Sequence, residues 1–303
     1  MKVLCFGSLN IDYTYSVPHF VQRGETLACT ELRLFGGGKG LNQSIALSRA
    51  GLDVSLAGAI GEDGRFLLSE LHRAGVDTRH VDVLPGVRTG HAIIQNDADG
   101  DNCILVFGGA NHSTSREQID RVLSCFGEGD VLTVQNEIRE LEHLIRSARE
   151  RGMRVALTPA PMNEAVKTLP LELVDYLFLN ELEAAAMLDH PVEEAPLDAA
   201  RELRARYGVK NAVLTLGAAG SAFSGETGEY TQAALPAEAV DTTGAGDTFA
   251  GFFLAGALNG FDTQRALYVA SAAASIAITR CGASASIPDR DEVMERLSRE
   301  NGF

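Results

Sequence analysis

The 303-residue chain has no tryptophan, only 9 prolines, and only 26 Lys and Arg against 41 Asp and Glu. Each shortage excludes something. With a formal net charge of -15, the surface repels phosphate backbones and anionic lipid, which argues against nucleic-acid and membrane partners. A small anionic ligand is still allowed, because backbone N–H groups, one lysine or a bound cation can make a positive pocket in an acidic protein. Cysteine is sparse and odd in number. Cys5, Cys29, Cys103, Cys125 and Cys281 contain no C-x-x-C pair, so free thiols in a reducing compartment are expected, not a disulfide framework or a zinc site. Long apolar runs are lacking too. The N-terminal MKVLCFGSLNID is broken by Asn10 and Asp12, and the run from Phe249 to Leu258 is too short to span a bilayer. A cytoplasmic protein is the expectation.

What is present is 45% hydrophobic residues and 31 glycines, enough for a large buried core with many tight turns. Short apolar runs at Val3 to Phe6, Val54 to Ile60, Val131 to Val134, Val155 to Leu157, Tyr176 to Leu179 and Ala212 to Leu216 read as strands. Between them lie helical spacings such as Gly64 to Ala74 and Glu140 to Arg151. Strands alternating with helices predict an α/β fold: a doubly wound, mainly parallel sheet flanked by helices. Two stretches break the rhythm. Tyr13 to Val17 with Leu27 to Leu34, and His91 to Gln95 with Cys103 to Phe107, read as hairpin strands without a helix between them. The second pair is joined by a polar turn, Asn96 to Asp101. These strands predict a small β-sheet lid, from about residues 13–34 and 88–107, inserted in one domain of residues 1–303.

Four segments carry the chemistry. In DTTGAGDTFAGFF (Asp241 to Phe253) a Gly-rich turn, Gly244-Ala245-Gly246, opens an apolar helix with Asp247 directly behind it. Small residues bare the backbone N–H groups, and a helix N-terminus adds positive potential, which together make an oxyanion cradle. A carboxylate beside it suits phosphoryl transfer, where a hydroxyl must lose its proton as charge develops on the transferring group. The plainer alternative is a helix start capped by Thr242 or Thr243, with Asp247 complementing the dipole. In FGGGKGLNQ, Gly40 follows Lys39 where a Walker A loop needs Ser or Thr, so a P-loop is rejected. Its glycines still let backbone approach a ligand, and Asn42 is either a ligand contact or an N-cap. GSLNID sets Asn10 and Asp12 just beyond the first strand, where α/β sheets bind ligands, although an Asx-turn is equally compatible. Asn180 and Glu183, three apart at a helix start, suit either a hydrated magnesium ion or a capping box.

These segments, together with GGAN (Gly108 to Asn111), VQNE (Val134 to Glu137), TPAP (Thr158 to Pro161), TLGAAG (Thr215 to Gly220) and ITRCGASASIP (Ile278 to Pro288), occur in an order that resembles the ribokinase-like (phosphofructokinase-B type) sugar kinases. The resemblance covers nearly the whole chain. It implies transfer of phosphate from ATP to a sugar, D-ribose giving ribose 5-phosphate, with another pentose or a nucleoside as the alternative substrate. A sugar sensor without turnover is a further alternative, which the intact Asp247 and its cradle oppose.

Residue by residue, the resemblance implies Asp247 as base and Gly244, Ala245 and Gly246 as anion hole. Asn10, Asp12, Gly38, Lys39, Asn42, Glu137 and Asp247 would contact the sugar. Asn180, Thr215, Gly217, Gly220, Gly246 and Ser271 would lie on the nucleotide side, with Glu183 organising Mg2+. A K+ site is implied at Asp241, Thr243, Ala277, Arg280, Gly282 and Ser286, several through backbone carbonyls, and a homodimer through the β lid. Tyr13, Tyr15, His91, Thr158 and Phe252 depart from the pattern and bear on the sugar and the lid.

Overall fold

Val3, Leu4, Cys5 and Phe6 form a strand, β1, that is wholly buried, and its side chains divide by parity. Val3 and Cys5 enter one apolar cluster, Leu4 and Phe6 another. That alternation belongs to a strand covered by helices on both faces. The structure, a computed structural model, describes residues 1–97, 102–192 and 194–301. After β1 (Val3–Phe6) come β2 (Asn10–Ser16), β3 (Glu31–Gly37), α1 (Lys39–Arg49), β4 (Val54–Gly61), α2 (Arg65–Arg73), β5 (Asp77–Leu84), β6 (Gly90–Asn96) and β7 (Asn102–Phe107). The middle of the chain gives α3 (Arg116–Leu123), β8 (Val131–Gln135), α4 (Leu141–Glu150), β9 (Arg154–Thr158), β10 (Tyr176–Asn180), α5 (Glu181–Leu188), α6 (Pro196–Tyr207) and β11 (Asn211–Thr215). β12 (Ser221–Gly225), β13 (Gly228–Gln232), α7 (Ala245–Leu258), α8 (Thr263–Ala277), α9 (Ala283–Ser286) and α10 (Arg290–Asn301) complete it.

The large sheet has the order β13-β12-β11-β10-β9-β8-β1-β4-β5 and is parallel from β11 to β5, with β12 and β13 antiparallel at one edge. The chain grows outward from β1 to β4 and β5, then returns to β8 on the other side of β1. The strand order therefore reverses between β1 and β8. Connections leave those two strands in opposite directions and open a crevice at their C-terminal ends, the place where such sheets take ligands. Helices α1, α2, α7, α8 and α10 contribute to the core on one face, and α3 to α6 to the core on the other.

The strands read from the sequence as parts of the main sheet all form, and so does the small sheet, with one strand shifted in its bounds. It has four strands in the order β3-β2-β6-β7, with β2 and β6 parallel and both outer pairs antiparallel. The strand expected at Leu27 to Leu34 runs instead over β3 and takes in Gly36 and Gly37. Those glycines belong to the strand because they pair opposite Ile11 and Asn10, and a Cβ on Gly37 would lie 2.0 Å from Asp12 Oδ2. Of the expected turn at Asn96 to Asp101, residues 98–101 lie outside the described residues. The strands β5, β12 and β13 had no counterpart in the sequence reading.

Candidate active site

Asp247 occupies the third position of α7 and is buried. Neither Thr242 nor Thr243 caps this helix. The N-cap is Gly244, in the left-handed conformation with φ 77°, where a side chain would be strained. Both oxygens of Asp247 accept from consecutive residues of α1: Asn42 Nδ2 donates to Oδ2 and Gln43 Nε2 to Oδ1, each at 3.0 Å. The N-cap reading of Asn42 is thereby overturned. α1 begins at Lys39 behind Gly38, so Asn42 lies a turn inside the helix and its side chain is free to reach Asp247. Its own Oδ1 is buried with no partner among the described residues. A buried orphan acceptor carries a desolvation cost until a donor arrives, and here it lies beside a carboxylate.

The remaining polar groups gather where β1 and β8 end. Ser8 Oγ donates to Glu137 Oε2, which also accepts the backbone N–H of Lys39 at 3.0 Å. Gly38, with φ 89°, brings the start of α1 close enough to β2 that a Cβ would sit 2.9 Å from Asn10 N. Asn10 Oδ1 accepts from Asn111 Nδ2 at 2.7 Å, and Asn111 Oδ1 accepts from Leu9 N at 3.0 Å, which leaves the Asn10 amide donors for a ligand. Asp12 is buried. Desolvation, with the nearby Glu137 and Asp241 charges added, pushes its carboxyl up to about 7. Burial alone would pull the Lys39 ammonium down, but the carboxylates of Asp247, Glu137 and Glu183 outweigh it and hold it above its ordinary value. One cation thus lies among three anions.

On the other side of Asp247 the surface is open. A Cβ added at Gly246 or at Gly217 would meet nothing within 4 Å. No protein acceptor faces the amides of Gly246 or Asp247 among the described residues. Gly220, at φ 100°, turns the chain where a Cβ would lie 2.0 Å from Gln232 O, and Thr215 Oγ1 is held weakly by Leu179 O at 3.4 Å. Ser271 is buried within α8. Asn180 and Glu183 do form a capping box: Asn180 Oδ1 accepts from Glu183 N at 2.8 Å and Glu183 Oε2 from Asn180 N at 2.9 Å. Desolvation raises the Glu183 carboxyl above its ordinary value.

Among the residues expected around a monovalent cation, backbone hydrogen bonds to Ile278 O tie Val240 and Asp241 to the end of α8. Asp241 Oδ1 accepts from Thr243 N and Oδ2 from Gly282 N, each at 2.9 Å, so the segment before α7 is tied to the one before α9. Ala277 O accepts from Arg280 N at 3.1 Å. The Arg280 side chain turns away and pairs with Glu292, and Ser286 Oγ donates to Ala283 O at 2.9 Å. No group of three or more His, Cys, Asp or Glu able to hold a metal ion occurs among the described residues. All five cysteines are free thiols.

A buried carboxylate at a helix start, behind an open glycine turn and beside an unsatisfied amide oxygen, is compatible with group transfer onto a hydroxyl. Residues 1–290 match the pfkB family carbohydrate kinases. The chain belongs to that family. Among curated pfkB relatives, the ribokinase of Haemophilus influenzae is 33% identical over 297 residues, covering 96% of each chain. Among solved structures, a ribokinase of Cryptococcus neoformans in complex with ADP is 34% identical with a TM-score of 0.85, covering 98% of this chain and 99% of that one. A ribokinase of Arabidopsis thaliana complexed with ribose and ATP has a TM-score of 0.86 at 29% identity, covering 98% of both. This pfkB kinase is therefore an enzyme of the sugar-kinase class.

Several residues of this polar cluster were not expected from the sequence in any individual role: Gln43, Ser8, Asn111, Thr133 and Gln135, although all but Thr133 lie within the motif segments. A signal for two of them existed. Thr133 and Gln135 are polar at alternate positions of the otherwise apolar strand VLTVQ, so both face the same side. Of the departures from the family pattern, Phe252 is buried in the core. Tyr13 and His91 pack edge to face at 5.9 Å, and His91 against Phe107 at 5.0 Å. The register pairs Asp12 with Ala92 and Ile11 with His91, so Tyr13, Tyr15 and His91 stand on the sheet face opposite Asp12.

Proposed function

We propose that this protein phosphorylates D-ribose at its 5-hydroxyl with ATP, using Asp247 as general base. The observation that carries the reading is Asp247 itself, fixed by Asn42 and Gln43 on one side and adjoining the open Gly246 turn on the other. The hydroxyl proton passes to Asp247 as the oxygen attacks the γ-phosphorus, and the bond to the leaving diphosphate breaks. The Gly244-Ala245-Gly246 backbone and the N-terminus of α7 stabilise charge on the transferring group. Asn10, Asp12, Gly38, Lys39, Asn42 and Glu137 hold the sugar, with the orphan Asn42 Oδ1 ready for a hydroxyl donor. Asn180, Thr215, Gly217, Gly220 and Ser271 line the nucleotide side. Support for a free pentose comes from the lid, where Tyr13, Tyr15 and His91 lie on the face away from Asp12.

Glu183 would orient the water shell of Mg2+, which would shield the nucleotide's negative charge. Asp241, with Thr243, Ala277, Arg280, Gly282 and Ser286, several through backbone carbonyls, would hold K+ and stiffen the anion turn. The small sheet acts as lid and as homodimer surface within one domain: β7 is exposed along its whole length, including Ile104, Leu105, Val106 and Phe107, and a patch of that kind marks an interaction site. No helix among the described residues is long and apolar enough to cross a membrane. We place the enzyme in the cytoplasm, where ATP is at hand.

A coupled assay with ATP tests the reading, comparing D-ribose, 2-deoxy-D-ribose, other pentoses, hexoses and inosine, with carbon–phosphorus coupling locating the phosphate. A higher kcat/KM for inosine or a hexose than for D-ribose would overturn it.

A further inference from the structure

Gln43 is placed between the main sheet and the reactive carboxylate, and its amide makes every hydrogen bond it can. Its Nε2 donates to Asp247 Oδ1 and to Thr158 Oγ1, both at 3.0 Å. Its Oε1 accepts from Thr133 Oγ1 at 3.1 Å and from Gln135 Nε2 at 2.6 Å. Two donors and two acceptors exhaust a primary amide. The side chain is buried, so nothing in it is left for a ligand. The partners also forbid the flipped amide. Turning it would set a carbonyl oxygen against the Asp247 carboxylate, and an N–H2 against the Gln135 amide donor.

The neighbouring Asn42 is different. It donates to Asp247 Oδ2 but keeps an unpartnered Oδ1. Two successive residues of α1 therefore divide the work at one carboxylate: Asn42 can touch both Asp247 and substrate, whereas Gln43 touches Asp247 and the ends of β8 and β9. We infer that Gln43 is a positioning residue, which transmits the geometry of the parallel sheet to Asp247 and holds that carboxylate aimed before substrate arrives. A base fixed in advance needs no reorganisation at the moment of reaction. Gln135 acts one step further out, by setting an amide donor against Gln43 Oε1 and so favouring the orientation with Nε2 toward Asp247. This inference rests on Asp247 being the base of the proposed reaction.

The test is a pH profile of turnover with ATP and D-ribose for the wild-type protein, Gln43→Glu and Gln43→Met. Groups close enough to sense Asp247 include Lys39, Glu183 and Cys5, all unchanged in these variants. Burial pushes the Cys5 thiol up to about 11, outside the range of the assay. In Gln43→Glu a second carboxyl replaces the donor opposite Oδ1, and two adjacent carboxyls share a proton. The acid limb of kcat should move up by about one pH unit or more, with activity recovering toward high pH. Gln43→Met should lower kcat by about tenfold or more while KM for ATP stays within about twofold. An unmoved acid limb in Gln43→Glu, or a kcat for Gln43→Met close to wild type, would overturn the inference.

Should either substitution prevent folding, the wild-type protein still decides. The Gln43 side-chain N–H2 resonances should shift with pH along the same curve as the acid limb, and pH-independent resonances would count against the role. Asp247→Asn, assayed in parallel, separates the two readings. Turnover in that variant removes the base assignment itself, whereas an inactive Asp247→Asn with near-normal Gln43 variants removes only the positioning role.

Discussion

Asp241 and Gly282 are joined by a hydrogen bond of 2.9 Å from the Gly282 N–H to Asp241 Oδ2, although the two residues belong to segments on opposite sides of α7 and α8. The tie holds the chain just before the Gly244 to Gly246 turn against the start of α9. A weakly hydrated cation coordinated by carbonyls of both segments would stiffen that turn without touching either substrate. Replacing sodium by potassium at constant ionic strength is therefore expected to raise kcat, with little change in KM. Asp241→Ala should abolish the difference. Constant ionic strength matters because screening alone would alter ATP encounter with so acidic a protein. Equal kcat in both salts would remove K+ from the account.

Substituting Asp247→Asn should lower kcat by at least ~10²-fold, the lower end for loss of a general base. The amide also sets an N–H2 group against a donor of Asn42 or Gln43, both at 3.0 Å in the native protein, so the thermal midpoint should fall modestly. Nucleotide binding, followed by calorimetry, should persist. A variant keeping more than about a tenth of wild-type kcat is incompatible with Asp247 as base.

Asp12 gives a pH dependence of defined sign. Its folded carboxyl is pushed up to about 7 by burial, with Glu137 and Asp241 adding to the effect, while in the unfolded chain it ionises near the ordinary ~4. Between those values the folded protein binds more protons than the unfolded one, so the Asp12 contribution to stability falls as pH rises through that window. Its full extent is at most ~4 kcal/mol. Asp12→Asn should accordingly gain in melting temperature over wild type on going from pH 5 to pH 8. A constant difference would show that the carboxyl is not perturbed.

The same carboxylate should matter for the sugar. Asp12→Ala is expected to weaken D-ribose binding by roughly 1.5–3 kcal/mol at a pH where Asp12 is ionised, the range for hydrogen bonds to a charged group. Calorimetry with D-ribose on both proteins measures it, and unchanged affinity would move Asp12 out of the sugar site.

The exposed β7 predicts association. Leu105 and Phe107 are 69% and 52% exposed, and covering them removes apolar surface from water. Light scattering should report a dimer for the wild-type protein and a monomer for Leu105→Glu, with the melting temperature of the main domain little changed. A monomeric wild-type protein at assay concentrations would rule out the lid as a dimer surface.

The apolar runs and glycine turns by themselves determined the alternating parallel sheet, because a strand buried on both faces has to read as an apolar run and leaves its mark locally. The same held for Asp247 behind its glycines, a helix-start feature spelled out within a few residues, and for Asn180 and Glu183, whose capping box depends only on a spacing of three. The boundaries of β3 and the edge strands β5, β12 and β13 were less legible. Pairing there is chosen by neighbours distant in sequence, and Gly36 and Gly37 look like loop until Asn10 and Ile11 lie opposite them.

What only the tertiary structure decided is the company each polar side chain keeps. Asn42 was an N-cap or a ligand contact on sequence grounds, and the start of α1 at Lys39 settled against the cap. Gln43 closes the FGGGKGLNQ segment, but nothing local told what its side chain would meet. Its partners come from α7, β8 and β9, separated from it by as many as 204 residues. Burial makes an unpaired amide costly, so the folded core selects one orientation for it. That orientation exists only once distant strand ends have been packed side by side.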